Sequence, residues 1–205
     1  MPFHLYNRPG SGGFVVEAAL VLAGANFELT EMDSKPGTPL PESFRNFNPW
    51  GQMPTLVLPD GTTMTETAAI LLHLTGCFPD AKMAPTPGTS AHGKFLRWMV
   101  FANVNLYEAV ARRGYPFRYT DDEDGYEAIR SAAIRRMREA LEVLETDIAS
   151  PFLLGDDMTI ADVYMAMFYI WRRGAMDAPR LEALTDKVRN HLIVGPIWRR
   201  HFGDR

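Results

Sequence analysis

The sequence predicts an α/β domain followed by an all-α domain, on three observations. Phe3 to Met32 reads strand, helix, strand; Asn48 to Leu74 reads strand, tight turn, strand, helix; from Ala91 onward apolar residues recur at helical spacing. With 205 residues the chain is long enough for two domains, each burying its own core. The division drawn is residues 1–80, a linker at 81–90, and 91–205.

The first strand, Phe3 to Tyr6, runs into Asn7-Arg8-Pro9-Gly10-Ser11-Gly12-Gly13, a turn dense in residues that break regular structure. Phe14 to Ala23 then places Phe14, Ala18, Val21 and Leu22 on one helical face, and Phe27 to Met32 is a second strand. Strand, helix, strand over roughly thirty residues implies parallel pairing through a right-handed crossover. Asp33 to Pro41, rich in Pro and Gly, is a loop, and Glu42 to Asn46 has room for one helical turn.

Thr55 to Leu58 is a short β-branched and apolar run, Asp60-Gly61 is a hairpin signal, and Thr62 to Met64 is the returning strand. Thr65-Glu66-Thr67 starts a helix that Ala68, Ala69, Ile70, Leu71, Leu72 and Leu74 continue. The order βαβ, short helix, ββα is that of a thioredoxin-like domain. Gln52-Met53-Pro54 lies between a glycine and a strand, which suits a fixed turn, and a cis bond before Pro54 is one way to make it. Main-chain groups of Met53 turned outward there would pair with an extended, peptide-like ligand as an added strand does. The helix opening at Glu66-Thr67 offers free N–H groups and the positive end of its dipole, which suit a carboxylate. The Thr67 hydroxyl adds a donor, and Glu66 can hold an ammonium beside it. An amine and a carboxylate side by side describe an α-amino acid end.

Pro79 to Ser90, with three prolines and a glycine, reads as an interdomain linker. Ala91 to Arg113 carries Phe95, Trp98, Met99, Ala102, Leu106 and Ala109 at helical spacing, and Glu123 to Ile148 carries a second such pattern. Thr159 stands as N-cap with Asp162 three residues on, and Met158 and Val163 take the places of a hydrophobic staple. The helix Val163 to Trp171 is apolar nearly all round, so it belongs in the middle of the second domain. Pro179 to Leu192 and Pro196 to Phe202 close that domain.

A composition of 46% hydrophobic and 22% charged residues is that of a soluble globular protein, and the net charge of −4 gives no support to nucleic-acid or anionic-membrane binding. No apolar run approaches membrane-spanning length, and the Met-Pro-Phe-His start lacks a basic-then-apolar signal region, so a cytoplasmic address is expected. The single Cys77 excludes an internal disulfide; following an apolar helix, it is expected to be buried and inert. The five histidines show no metal-ligand spacing, and no metal is expected. Gly10-Ser11-Gly12 begins a dinucleotide-binding pattern, but Val15 occupies the place of its third glycine and no phosphate-loop lysine follows. There is no Gly-x-Ser-x-Gly elbow for a hydrolase.

The proline turn followed by Glu66-Thr67 resembles the glutathione-binding half of the glutathione S-transferase family, which carries a cis-proline loop and a Glu-Ser or Asp-Ser pair at its last helix. Thr67 keeps the hydroxyl and the N–H. The Thr159–Asp162 box is similar to that in the core helix of the family's all-α domain, so the likeness spans both domains. It implies glutathione as co-substrate, bound by Gln52, Met53, Pro54, Glu66 and Thr67, with its sulfur held as a thiolate. A free thiol has a pKa of roughly 8.5, and lowering it by two units takes about 2.7 kcal/mol. Tyr-x-x-Pro-Gly-Ser, Tyr6 to Ser11, looks like the serine-type subgroups and implies Ser11 as the sulfur's donor, with Arg8 as an electrostatic helper. Tyr6 is the alternative, as in tyrosine-type members. Where cysteine-type members hold their thiol this chain has glycine or serine, which argues against glutathionyl-mixed-disulfide reduction.

The resemblance further implies a homodimer, a role in detoxification, and a small, mostly apolar electrophile bound between the domains. Asn103 and Tyr107 are its polar candidates, Met99 and Tyr115 its apolar walls, and Trp50 shapes the cleft. Lys35 and Arg45 are candidates for the tripeptide's glycine carboxylate. Glutathione-dependent isomerase, dehalogenase or peroxidase chemistry on the same scaffold is one alternative; a non-catalytic binding or regulatory protein is another.

Overall fold

Phe3, Leu5 and Asn7 are buried and alternate with half-buried His4 and Tyr6 along β1 (Phe3–Asn7), the pattern of a strand covered on both faces. The computed structural model describes residues 1–32, 40–172 and 174–204. β1 pairs in parallel with β2 (Phe27–Glu31), through the crossover helix α1 (Gly13–Leu22). It pairs antiparallel with β3 (Thr55–Val57), and β3 antiparallel with β4 (Thr63–Met64), giving the order β2-β1-β3-β4. The helical turn expected near Glu42 is α2 (Glu42–Arg45), and the helix after β4 is α3 (Thr67–Cys77). The ring of Tyr6 packs against Phe44 and Phe47, at 5.6 and 5.0 Å between centroids, so these rings cover the sheet face opposite to Leu5.

The sequence expected α1 to bury one face, but residues 13–20 are all buried. Its second face is covered by α9 (Val194–Phe202), whose Trp198 and Phe202 meet Phe14 at 5.5 and 5.0 Å. The chain accordingly divides into two compact units, Met1–Ala84 with Arg189–Arg205, and Pro85–Val188. The division at 91–205 therefore differs at its C-terminal end: the final helix packs with the first unit. Hydrophobic periodicity identifies a helix with one apolar face, and it does not identify the surface that face will meet.

In the second unit one long helix was expected from Ala91. Instead α4 (Ser90–Phe101) passes through a π-helical stretch, Ala102–Tyr107, into α5 (Glu108–Gly114). The Asn105 amide donates to the Phe101 carbonyl at 3.1 Å and so competes with the i→i+4 ladder there. α6 (Tyr126–Asp147) buries one stripe, Ala133, Met137, Ala140, Leu141 and Leu144. α7 (Ile160–Trp171) is buried throughout from Ile160 to Phe168 and forms the unit's core, and α8 (Pro179–Arg189) follows. The box at Thr159 is present. Asp162 accepts from the Leu153 N–H and the Thr159 N–H, both at 2.7 Å, and from the Thr159 hydroxyl at 2.9 Å. Its complete burial pushes its carboxyl above the usual range, against the pull of those bonds. Among the described residues no helix is long and apolar enough to cross a membrane.

Candidate functional site

Strand register brings three stretches of chain to one end of the sheet. Tyr6 pairs with Thr55, and Leu56 with Met64. Asn7 and Pro54 lie one residue beyond the first of these last pairs and Glu66 two beyond the second, at the same end of the sheet, and are read together as one row. At roughly 4.8 Å between strands the row is about 10 Å wide, the length of an extended tripeptide at about 3.3 Å per residue.

The Ser11 loop leaves β1 at one end of that row. Ser11 is 7% exposed; its hydroxyl donates to the Asn7 Oδ1 at 2.9 Å and accepts from the Gly13 N–H at 3.2 Å. The Arg8 N–H also donates to Asn7 Oδ1, at 2.7 Å, which fixes the orientation of the amide. Asn7 is fully buried, and its Nδ2 has no hydrogen-bond partner among the described residues. A Cβ on Gly13 would overlap the Asn7 side-chain amide, so glycine here leaves Asn7 the place from which it meets Ser11 and Arg8. Gly12, as N-cap, puts its N–H ahead of the helical ladder. Tyr6 lies on the other face of β1 from Asn7. Its ring stacks on His4 at 4.3 Å and packs on Phe44 and Phe47. The structure thus separates the two sulfur-donor candidates by the thickness of a strand.

At the centre of the row the Met53–Pro54 bond is cis. Pro54 is buried, Met53 half-buried and Gln52 exposed. Asn48, 1% exposed, shapes this turn. Its Nδ2 donates to the Gln52 carbonyl and to Thr55 Oγ1, each at 2.7 Å, and its Oδ1 accepts from the Gly51 N–H at 3.3 Å. At the far end Glu66 is the N-cap of α3 at φ 66, a conformation that side chains rarely adopt. Its side chain is exposed while Thr67, the first helical residue, is 4% exposed.

The second-substrate candidates lie in the other unit, both in the π-helical stretch. Asn103 Oδ1 accepts from the Tyr164 hydroxyl at 3.3 Å, and the Tyr107 ring meets Phe168 and Trp171 edge-on at 6.0 and 5.3 Å. Met99 is fully buried, which removes it as a cleft wall. Trp50 is 73% exposed and Arg45 is exposed; Lys35 lies outside the described residues. Cys77, expected to be buried, is exposed and 3.3 Å from His73 Nε2, because α3 runs on past Leu74, its last buried residue. Among the described residues no three His, Cys, Asp or Glu side chains gather to hold a metal ion.

Four residues around the row were not found by motif: Asn7, Glu17, Asn48 and His201. Each is a polar side chain less than 7% exposed. A buried polar residue in an apolar stretch was the available signal for Glu17, alone on an otherwise apolar α1.

Residues 15–75 match the family model described as the glutathione S-transferase N-terminal domain, and residues 123–192 the one described as the C-terminal domain. The uncharacterized GST-like protein YncG of Escherichia coli K12 is 28% identical over 191 residues, 90% of this chain and 91% of that one. The glutathione S-transferase mdpJ of Emericella nidulans is 30% identical over 162 residues, 75% of this chain and 69% of that one. Of solved structures, a glutathione transferase homologue from Sulfitobacter with bound glutathione superposes with a TM-score of 0.88 at 23% identity, over 96% of each chain. A glutathione transferase from Methylococcus capsulatus does so at 0.81 and 26% identity, over 96% of this chain and 97% of that one. With both domain models met in order along a sheet-plus-helix unit and an all-α unit, the chain belongs to the glutathione S-transferase family.

Proposed function

We propose that this chain is a glutathione transferase that binds the tripeptide along the Asn7, Pro54 and Glu66 row, activates its thiol at the Ser11 loop and delivers it to a small apolar electrophile. The alignment of those three positions at one sheet end carries the reading. Glu66 takes the α-ammonium of the γ-glutamyl end, Thr67 its carboxylate, and the main chain at Gln52-Met53 pairs with the cysteinyl backbone. The sulfur then lies toward Ser11. In the free protein the Ser11 hydroxyl donates to Asn7, so to reach the sulfur it gives up a neutral bond of about 1 kcal/mol and makes one to an anion of about 1.5–3 kcal/mol. The N-terminus of α1, through Gly12, supplies the rest of the thiolate's stabilisation. The thiolate forms its C–S bond at the electrophilic carbon, the displaced electron pair leaves with the departing group, and the thiol proton goes to solvent. Asn103 and Tyr107 are the second-substrate candidates. Isomerase, dehalogenase or peroxidase chemistry would start from the same thiolate and is separated by assay on the corresponding substrates. A homodimer and a cytoplasmic detoxification role belong to the same reading, and sedimentation and localisation measurements test them.

Retention on immobilised glutathione tests the proposal directly. Wild type is expected to be retained and eluted by free glutathione, and Glu66→Ala to be lost or strongly weakened. If neither protein is retained, the transferase reading fails and a non-catalytic role for the fold takes its place.

A further inference from the structure

The last helix reaches the loop that carries Ser11. The Gly10 N–H donates to Nδ1 of His201, on α9, at 3.1 Å across 191 residues of sequence. A backbone N–H can only donate, so Nδ1 is an acceptor and the ring proton sits on Nε2, 3.0 Å from Glu17 Oε2. Glu17 is 2% and His201 6% exposed. Arg200 pairs with Glu17 from α9 and stands 3.8 Å from Glu31 on β2. The rings of Phe14 and Phe202, at 5.4 and 5.9 Å, pack about the imidazole.

A carboxylate in the middle of an apolar helix costs stability relative to a well-packed hydrophobic residue. Here it fixes the tautomer of an imidazole whose other nitrogen ends on the residue just before Ser11. Gly10 itself sits at φ 73, a conformation open to glycine without steric cost. We propose that His201, oriented by Glu17, is a positioning residue for the Gly10–Ser11 loop, so that the C-terminal helix is a working part of the thiol site. The chemical consequence rests on the glutathione reading; the clamp itself does not.

Two measurements on the full chain separate these. His201→Phe keeps the ring's bulk and loses both bonds, His201→Asn restores an acceptor near the place of Nδ1, and Glu17→Gln keeps the shape without the charge. In the absence of ligand, the Gly10 amide of His201→Phe is expected to exchange about tenfold faster, the worth of one ordinary hydrogen bond, with His201→Asn restoring much of the protection and the Leu71 and Leu74 amides unchanged. An unchanged Gly10 rate, or a wild-type imidazole with its proton on Nδ1 by nitrogen chemical shift, overturns the clamp. With glutathione bound, the thiolate absorbance of His201→Phe is expected to titrate about one unit higher, with affinity held within about threefold and His201→Asn partly restoring it. A titration that does not move overturns the positioning role. If wild type binds no glutathione, the transferase reading falls, and amide exchange still decides whether His201 holds the loop. Should His201→Phe fail to fold, Glu17→Gln carries both readouts.

Discussion

Ser11 in the free protein spends its one hydroxyl proton on Asn7, and that fact sets what removing it should do. Ser11→Ala deletes the charge-assisted donor but leaves the Gly12 N–H, so, net of the Asn7 bond, the bound thiol's pKa is expected to rise by about 0.4 to 1.5 units, worth about 0.5–2 kcal/mol. A pH titration of thiolate absorbance in the binary complex checks this, and an unmoved titration assigns the work to backbone donors. Glu66 carries a different tension: its φ of 66 is strained for a side chain. Glu66→Gly should hold or raise stability, by up to about 1 kcal/mol, while glutathione affinity falls about tenfold or more. Opposite movements in chemical denaturation and calorimetry would show strain kept for binding. His201 is held down to about 4 by burial, then by the neighbouring Arg200, with Glu31 pulling the other way. Between the ordinary value of about 6.5 and that folded value, the unfolded chain takes up a proton that the folded chain refuses. The neutral ring's contribution is therefore complete above pH 6.5 and is lost as pH falls to about 4, on the order of 3 kcal/mol. Urea unfolding at pH 7 and 4.5 should show a smaller acid loss in His201→Phe than in wild type; equal losses contradict the assignment.

At the scale of elements, the capping of α7 is the clearest case of sequence dictating structure. Asp162→Ala strips acceptors from the Leu153 and Thr159 N–H groups, both buried, and is expected to cost about 3 kcal/mol; thermal unfolding measures it. The box was legible because Thr159, Asp162, Met158 and Val163 are local, within six residues of one another. The hairpin at Asp60-Gly61 and the proline turn were legible for the same reason. What stayed hidden depends on partners distant in the chain. Gly13 reads as one more loop glycine until Asn7 Oδ1 is seen 1.7 Å from where its Cβ would be. Gly13→Ala should therefore cost about 1–3 kcal/mol through overpacking and displace Ser11 with it. Likewise the π-helical stretch from Ala102 goes with the Asn105 amide reaching the Phe101 carbonyl, a choice among rotamers that periodicity does not record. The pairing of His201 with Gly10 and Glu17 spans most of the chain, and Cys77 was misjudged because an apolar helix does not state where its burial ends.

For the molecule as a whole, the proposed site falls in a unit built from both ends of the chain, since α9 packs its Trp198 and Phe202 on Phe14 at the start of α1. Loosening α9 should therefore disturb tripeptide binding as well as stability. The central claim, that the γ-glutamyl end is held by Glu66 and Thr67 at the far end of the row from Ser11, is tested most directly by a calorimetric cycle. Glutathione and cysteinylglycine, which lacks the γ-glutamyl residue, are titrated into wild type and Glu66→Ala. Wild type is predicted to prefer glutathione by about tenfold or more, the worth of a charge-assisted contact, and Glu66→Ala to lose most of that preference while binding cysteinylglycine as wild type does. A preference that survives the substitution would place the γ-glutamyl end elsewhere and contradict the account.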